Sequence, residues 1–338
     1  MTPSVELSSL PSETLQEIAE NTLRLRAPMG IGNAQQNLPL IERSILKLPA
    51  ALPTLRESAV VVAAGPSLLR QNIVSRLREL RDRFTLVCCD GALPACLRGG
   101  LVPEIVVSVD PDHHRIVRWF GDPKLDERPD DDYYRRQDLD IHMREDERVR
   151  NGEVTQLVNR FGPKILAALS TSAAPDVTSR CRDAGMQLYW WNPLYDDWSE
   201  PDSFSRQAFE LTGGIPCMTG LGHTGGAAWV LAHAVLGCRR VAIVGMDLGY
   251  PDGTSVVNTQ YYDVVRDLSL DKAESLLLRI ENPHSGDVYT TDPVYYWYRE
   301  TMLDAAQRAE CDTVNCSGEG ILFGDGLEWG TLEEFAAG

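Results

Sequence analysis

The sequence predicts an α/β fold: a mostly parallel sheet flanked by helices, entered through a helical N-terminal arm. Three observations carry this. Short apolar runs such as Ala59–Ala64 and Phe84–Cys89 lack period-two alternation, as strands buried on both faces do. Each run ends in glycine or aspartate, as at Gly65, Asp90-Gly91, Asp110 and Gly245. Strand-like and helix-like segments then alternate at the pace of right-handed crossovers between parallel strands.

Taken in order, Ser12 stands as a helix cap before Leu15, Ile18, Ala19, Thr22 and Leu23 at helical spacing. The Gly/Asn/Gln/Pro stretch Met29–Pro39 is expected to loosen the chain before a short amphipathic piece, Leu40–Leu48, so residues 1–55 read as the arm. The main domain spans 56–330. Its first strand, Ala59–Ala64, is followed by a helix with Leu69, Ile73, Leu77 and Leu80 on one face; Phe84–Cys89 and Ile105–Val109 are the next strands. Residues 121–160, rich in Asp, Glu and Arg and including Asp130-Asp131-Asp132, read as a charged, solvated insertion. Strands resume at Ile165–Leu169, Met186–Trp191, Arg240–Val244 and Thr313–Cys316, with a helix over 294–309. Residues 249–292 read as polar and turn-rich, and a Gly-rich tail closes the chain.

Composition narrows the function. The 338 residues carry a net charge of −17, which argues against duplex nucleic acid or an anionic membrane as the main partner. No apolar run approaches the length of a membrane span, and no signal peptide is visible, so a cytoplasmic chain is expected. The eight cysteines form no Cys-x-x-Cys pair and read as reduced core residues.

In an open parallel sheet, ligands bind beyond the carboxyl ends of the strands. Gly65, Pro66 and Ser67 there combine a turn open to close backbone approach with a hydroxyl beside unpaired amides. The segment Gly222-His223-Thr224-Gly225-Gly226 is the better anion site, because two glycines and a threonine at a helix start expose amides and a hydroxyl. Asp90, Asp110, Asp112 and Asp247 would hold Mg²⁺ with substrate phosphates or accept bonds from ribose, although each is equally a common capping residue. His223 and His284 qualify by location as general bases, while His142 and His233 read as structural. Tyr261, Tyr262, Tyr289, Tyr295, Tyr296 and Tyr298 read mainly as packing, with one or two lining a pocket.

In order, Val61–Leu68, Cys89–Leu93, Val102–Asp110, Gly222–Gly226, Leu236–Cys238 and Val244–Tyr250 resemble a known superfamily. It unites archaeal 6-hydroxymethylpterin diphosphokinases (MptE-like) with the motility accessory factors, which are flagellin glycosyltransferases related to the sialyltransferases of glycosyltransferase family 42. The resemblance covers about residues 55–325 and implies a Rossmann-like, nucleotide-binding transferase domain. Asp90-Gly91-Ala92 and the Gly222 turn look like the diphosphokinase branch, which would use ATP and Mg²⁺ on a pterin alcohol, with Asp110 and Asp112 as metal ligands. The Asp247–Tyr250 loop, Val288–Thr291 and Cys316–Gly320 look more like the motility accessory factors. By that resemblance Gly65, Pro66, Ser67, Asp90, Gly91, Thr224, Gly225, Gly226 and Asp247 would hold the nucleotide of a CMP-activated nonulosonic acid. His284, or else His223, would be the base, and no cofactor would be required. The first expectation is therefore a glycosyltransferase acting on a glycan or protein hydroxyl. The alternatives are a pterin diphosphokinase and a nucleotide-binding protein without chemistry.

Overall fold

Strand β1 (Ser58–Val62) sits at the centre of the sheet because both of its faces are apolar. Val60 and Val62 pack on one side and Ala59 and Val61 on the other, all fully buried. It pairs in parallel with β2 (Thr85–Cys89) on one side and β7 (Arg240–Val244) on the other. The sheet continues outward through β3 (Ile105–Ser108), β4 (Leu166–Ser170), β5 (Gln187–Pro193) and β6 (Cys217–Met218) past β2. Past β7 it runs through β11 (Asp312–Asn315) to β12 (Glu328–Trp329), giving nine strands in the order β12-β11-β7-β1-β2-β3-β4-β5-β6. Chain direction reverses its march between β1 and β7, the topological switch point at which such sheets bind ligands. This is the Rossmann-like α/β architecture expected. The computed structural model describes residues 12–112, 114–128, 147–262 and 276–338.

Helices cover both faces. In chain order they are α1 (Ser12–Asn37), α2 (Leu48–Ala51), α3 (Ser67–Arg70), α4 (Ile73–Glu79), α5 (Leu93–Arg98) and α6 (Glu147–Phe161). They continue with α7 (Pro175–Asp183), α8 (Phe204–Leu211), α9 (Thr224–Val230), α10 (Pro293–Arg308) and α11 (Leu332–Ala337). Among the described residues no helix is long and apolar enough to cross a membrane. The eight cysteines are unpaired, six of them buried, as their apolar settings implied.

The strands fall where the apolar runs put them; the departures lie elsewhere. The stretch Met29–Pro39 does not loosen the chain, because α1 runs unbroken through it to Asn37. Its Asn33 amide donates to the Pro111 and Ser172 carbonyls at 2.9 Å each. The Asn37 amide donates to those of Thr171 and Ala173 at 3.0 and 2.8 Å. These four bonds to the ends of β3 and β4 override poor helix propensity. The helix after Ser67 is broken at Asn72, whose φ of 50° is left-handed, so Leu69 turns outward and Leu68 inward.

The expected insertion 121–160 is part core. Val154 and Val158 of α6 are fully buried, and the Arg128 guanidinium bonds the buried Asp122 carboxylate at 2.7 Å. Asp130–Asp132 and His142 of that insertion, like His113, lie outside the described residues. The polar stretch 249–292 holds an antiparallel sheet, ordered β8 (Tyr250–Pro251), β10 (Val288–Thr291), β9 (Leu278–Glu281). The Gly-rich tail ends in α11, whose Leu332 and Phe335 pack into the core.

Candidate functional site

At the switch point, the chain leaving β1 and the chain leaving β7 cross in close contact. The Gly65 amide donates to the Gly245 carbonyl at 2.6 Å. A Cβ on Gly65 would stand 2.6 Å from that carbonyl oxygen, and one on Gly245 would stand 2.3 Å from the Ala63 oxygen. Only glycine permits this approach at both positions, and Gly245 also has a φ of 69°.

Above the crossing opens a crevice of about 990 Å³. Its floor is made of Gly65 and Pro66 after β1, Asp90 and Gly91 after β2, Asp110 after β3, Asp247 after β7, and Thr224 and Gly225 at the start of α9. The turns singled out in the sequence thus share one space. Of the opposite wall only one or two tyrosines were expected. It is built from α1, through Thr22, Leu23, Arg26 and Met29, and from Tyr295, Trp297 and Tyr298 of α10 with Tyr261.

Several predicted residues do other work. Ser67 is fully buried and does not line the crevice: its amide donates to Asp247 Oδ2 at 2.7 Å and its hydroxyl to Asp247 Oδ1. Asp247 reaches the crevice but has both oxygens engaged in pinning α3 to the end of β7. Burial pushes its carboxyl up to about 6, against the pull of the two Ser67 bonds. Gly226 is also behind the lining, its amide donating to His223 Nδ1 at 3.2 Å. A Cβ there would meet the Gly220 carbonyl at 2.7 Å.

Neither histidine is placed as a base. The His223 ring lies against Tyr298, centroids 4.8 Å apart, and Nδ1 accepts the Gly226 amide as the cap of α9. The neutral ring therefore carries its proton on Nε2, which is buried without a partner, and burial drags its pKa down to about 4. His223 is a hydrogen-bond donor in this state. His284 lies outside the crevice altogether, exposed and stacked on Trp329 at 4.7 Å with the rings 4° from parallel.

The acidic pair also separates. Asp112 turns to its own loop, where Oδ1 accepts the His114 and Arg115 amides at 3.0 Å, and it does not line the crevice. Asp110 does, accepting the Asp112 amide and facing Arg26 at 3.7 Å. Of the expected Mg²⁺ pair only Asp110 therefore lines the crevice, and among the described residues no three His, Cys, Asp or Glu side chains converge as a ligand set. Asp90 is held on both oxygens, accepting the Ser108 hydroxyl at 2.6 Å and the Gly91 amide at 2.7 Å. Burial raises it to about 6 although both bonds lower it.

The sequence reading missed three features of the site. Arg26 and the face of α1 are invisible until α1 is docked. Tyr261, Tyr295 and Tyr298 all line the crevice, more than the one or two expected. Asp292 caps α10 through the Val294 and Tyr295 amides at 2.9 Å and takes the Tyr250 hydroxyl at 3.0 Å. An Asp-Pro pair before a periodic run was its available signal.

Fold and crevice define a Rossmann-like domain with an open crevice at its switch point. Residues 32–121 match the protein family described as 6-hydroxymethylpterin diphosphokinase MptE-like. Over 82% of its length the chain is similar in fold to a motility accessory factor (Maf) glycosyltransferase from Magnetospirillum magneticum AMB-1, with a TM-score of 0.52 at 17% identity. A Treponema pallidum (strain Nichols) protein described as uncharacterized is 36% identical over 81 residues, 24% of this chain. The chain spans 34% of the glycosyltransferase and 37% of the Treponema protein. The resemblance to the MptE-like and motility accessory factor superfamily is thereby borne out, in sequence over residues 32–121 and in fold over most of the chain.

Proposed function

We propose that this chain is a transferase that takes a CMP-activated sugar of the nonulosonic-acid type as donor. The observation that carries the reading is the convergence of turns after β1, β2, β3 and β7, with the start of α9, on one crevice. The shared fold with a glycosyltransferase supports it. Gly65 and Gly225 line the crevice, and the tyrosines of the wall offer faces for a base or a sugar ring.

In the transfer, the acceptor hydroxyl oxygen attacks the anomeric carbon of the sugar. The bond from that carbon to the phosphate oxygen breaks, and CMP leaves with the electron pair. With both histidines unsuited, the acceptor's proton goes to Asp90, a crevice carboxylate whose pKa of about 6 lies near neutrality. A glycan or a protein hydroxyl would serve as acceptor. Transfer as written needs no metal.

The match of residues 32–121 to MptE-like proteins favours a second reading, pyrophosphoryl transfer from ATP to a pterin alcohol. The divergence of Asp110 and Asp112 weighs against it. A thermal-shift panel of CMP, CDP, ATP and GTP, with and without Mg²⁺, separates the readings, since a ligand of the folded state raises the melting temperature by mass action. CMP and CDP are expected to raise it without Mg²⁺. Stabilisation by ATP alone, and only with Mg²⁺, would overturn the donor assignment. CMP binding with no turnover across donor and acceptor panels would reduce the protein to a nucleotide binder.

A further inference from the structure

The crevice is acidic, yet the proposed ligand is an anion. Asp90, Asp110 and Asp247 all reach it, and the chain as a whole carries −17. Among the described residues, Arg26 and Arg308 are the cationic side chains that line it. Arg308 sits at the end of α10, mostly exposed and paired with Asp304 one helical turn back. Arg26 is the one set within, facing the carboxylate at the end of β3.

The Arg26–Asp110 pair is poorly explained as a structural brace. Its closest approach is 3.7 Å, and both side chains remain more than a third exposed, at 38% and 37%. Such pairs contribute little to stability. Helix α1 is instead held by the buried amides of Asn33 and Asn37, and Gly30 lies flat against Tyr195 and Ser172. The guanidinium is therefore presented by a helix fixed without its help, opposite a carboxylate that it can leave at small cost.

We infer that α1 is a working wall of the binding site and that Arg26 anchors an oxyanion of the bound ligand, exchanging Asp110 for it. The inference rests on the donor reading above and adds to it the group that offsets the ligand's charge. Two oxyanions of a CMP-activated nonulosonic acid would satisfy a guanidinium fork, the phosphate and the sugar carboxylate.

The test is calorimetric titration of CMP, cytidine and free N-acetylneuraminic acid into the wild type and into Arg26→Ala, Arg26→Lys and Asp110→Asn. The exposed Arg24→Ala on the same helix serves as control. Arg26→Ala is expected to weaken CMP on the order of tenfold to hundredfold, the loss of charge-assisted hydrogen bonds, and to leave cytidine unchanged. Arg26→Lys falls between. Asp110→Asn removes the competing carboxylate and a repulsive charge, so it should tighten CMP and not cytidine. If Asp110 held Mg²⁺ instead, the same variant would weaken nucleotide binding.

Loss confined to N-acetylneuraminic acid assigns Arg26 to the carboxylate rather than the phosphate. Equal loss for CMP and cytidine, a drop in melting temperature that accounts for the effect, or no loss at all overturns the inference while the donor reading stands. If the wild type binds neither CMP nor cytidine, the donor reading fails. Arg26 is then judged on inorganic pyrophosphate, which must bind the wild type and weaken in Arg26→Ala; otherwise the inference falls too.

Discussion

The floor of the crevice and its wall are built on opposite terms. On the floor, polar groups are largely consumed by the fold: Asp247 grips Ser67, and Asp90 grips Ser108 and Gly91. On the wall, Arg26 meets Asp110 across a long and half-exposed gap. The difference teaches that a strand-end carboxylate is a poor guide to ligand contact until its partners are known. Floor residues mainly set the shape of the site, with Asp90 keeping lone pairs beyond its two bonds for the acceptor's proton; wall residues have capacity left for a ligand.

The largest effect that tests this contrast is loss of the Asp247 carboxylate. Asp247→Ala leaves the buried Ser67 amide and hydroxyl without an acceptor and is expected to cost roughly 3 kcal/mol in urea unfolding. Asp110→Ala should cost within about 1 kcal/mol, as a half-exposed pair would. The pH dependence sharpens it. The folded pKa of Asp247, raised to about 6, exceeds the unfolded value, so the folded state holds the proton more tightly. Its contribution to stability is greatest below about pH 4 and is lost as pH rises toward about 6. Subtracting the curve of Asp247→Asn, which cannot ionise, should leave that decline. A flat difference would mean that the Ser67 bonds just offset burial, and a rise with pH that they outweigh it.

A smaller effect asks whether α1 is part of the folded body. Gly30→Ala in an isolated helix would stabilise by about 1 kcal/mol. Here the new Cβ would stand 1.9 Å from the Tyr195 hydroxyl and 2.9 Å from Ser172 Cβ. Overpacking of this kind costs about 1–3 kcal/mol, so a net loss is expected in thermal melts. Tyr195→Phe should recover part of it, giving a coupling of more than about 0.5 kcal/mol in the double-mutant cycle. If Gly30→Ala stabilises, α1 is not seated as described and the wall is lost with it.

The sheet was legible because strands buried on both faces leave an apolar signature in a handful of adjacent residues. The Gly65 and Gly245 turns were legible for a related reason, since a backbone crossing admits no side chain. The unbroken α1 was not, because Met29–Asn37 is helical only once Asn33 and Asn37 find carbonyls on distant strand ends. The sheet β8-β10-β9 escaped because two-residue and four-residue strands are too short for alternation to stand out. Arg26 was one arginine among many, and its position opposite Asp110 exists only in the docked fold.

His284 marks where motif reading overreached, and it carries the smallest expected effect. Its loop is fixed locally: the Asn282 side chain accepts the His284 amide at 2.9 Å and donates to the Gly320 carbonyl at 2.8 Å. That turn points the imidazole at Trp329 on the edge strand β12, where stacking accounts for its position. A residue held this way needs no ligand to explain it. His284→Ala should therefore cost less than about 1 kcal/mol, the value of one exposed aromatic contact, and leave turnover unchanged. The floor-and-wall crevice predicts that null result because the imidazole touches neither. A fall in turnover with unchanged CMP affinity would bring His284 back as the acceptor's base, and the loop carrying it would have to close over the crevice during transfer.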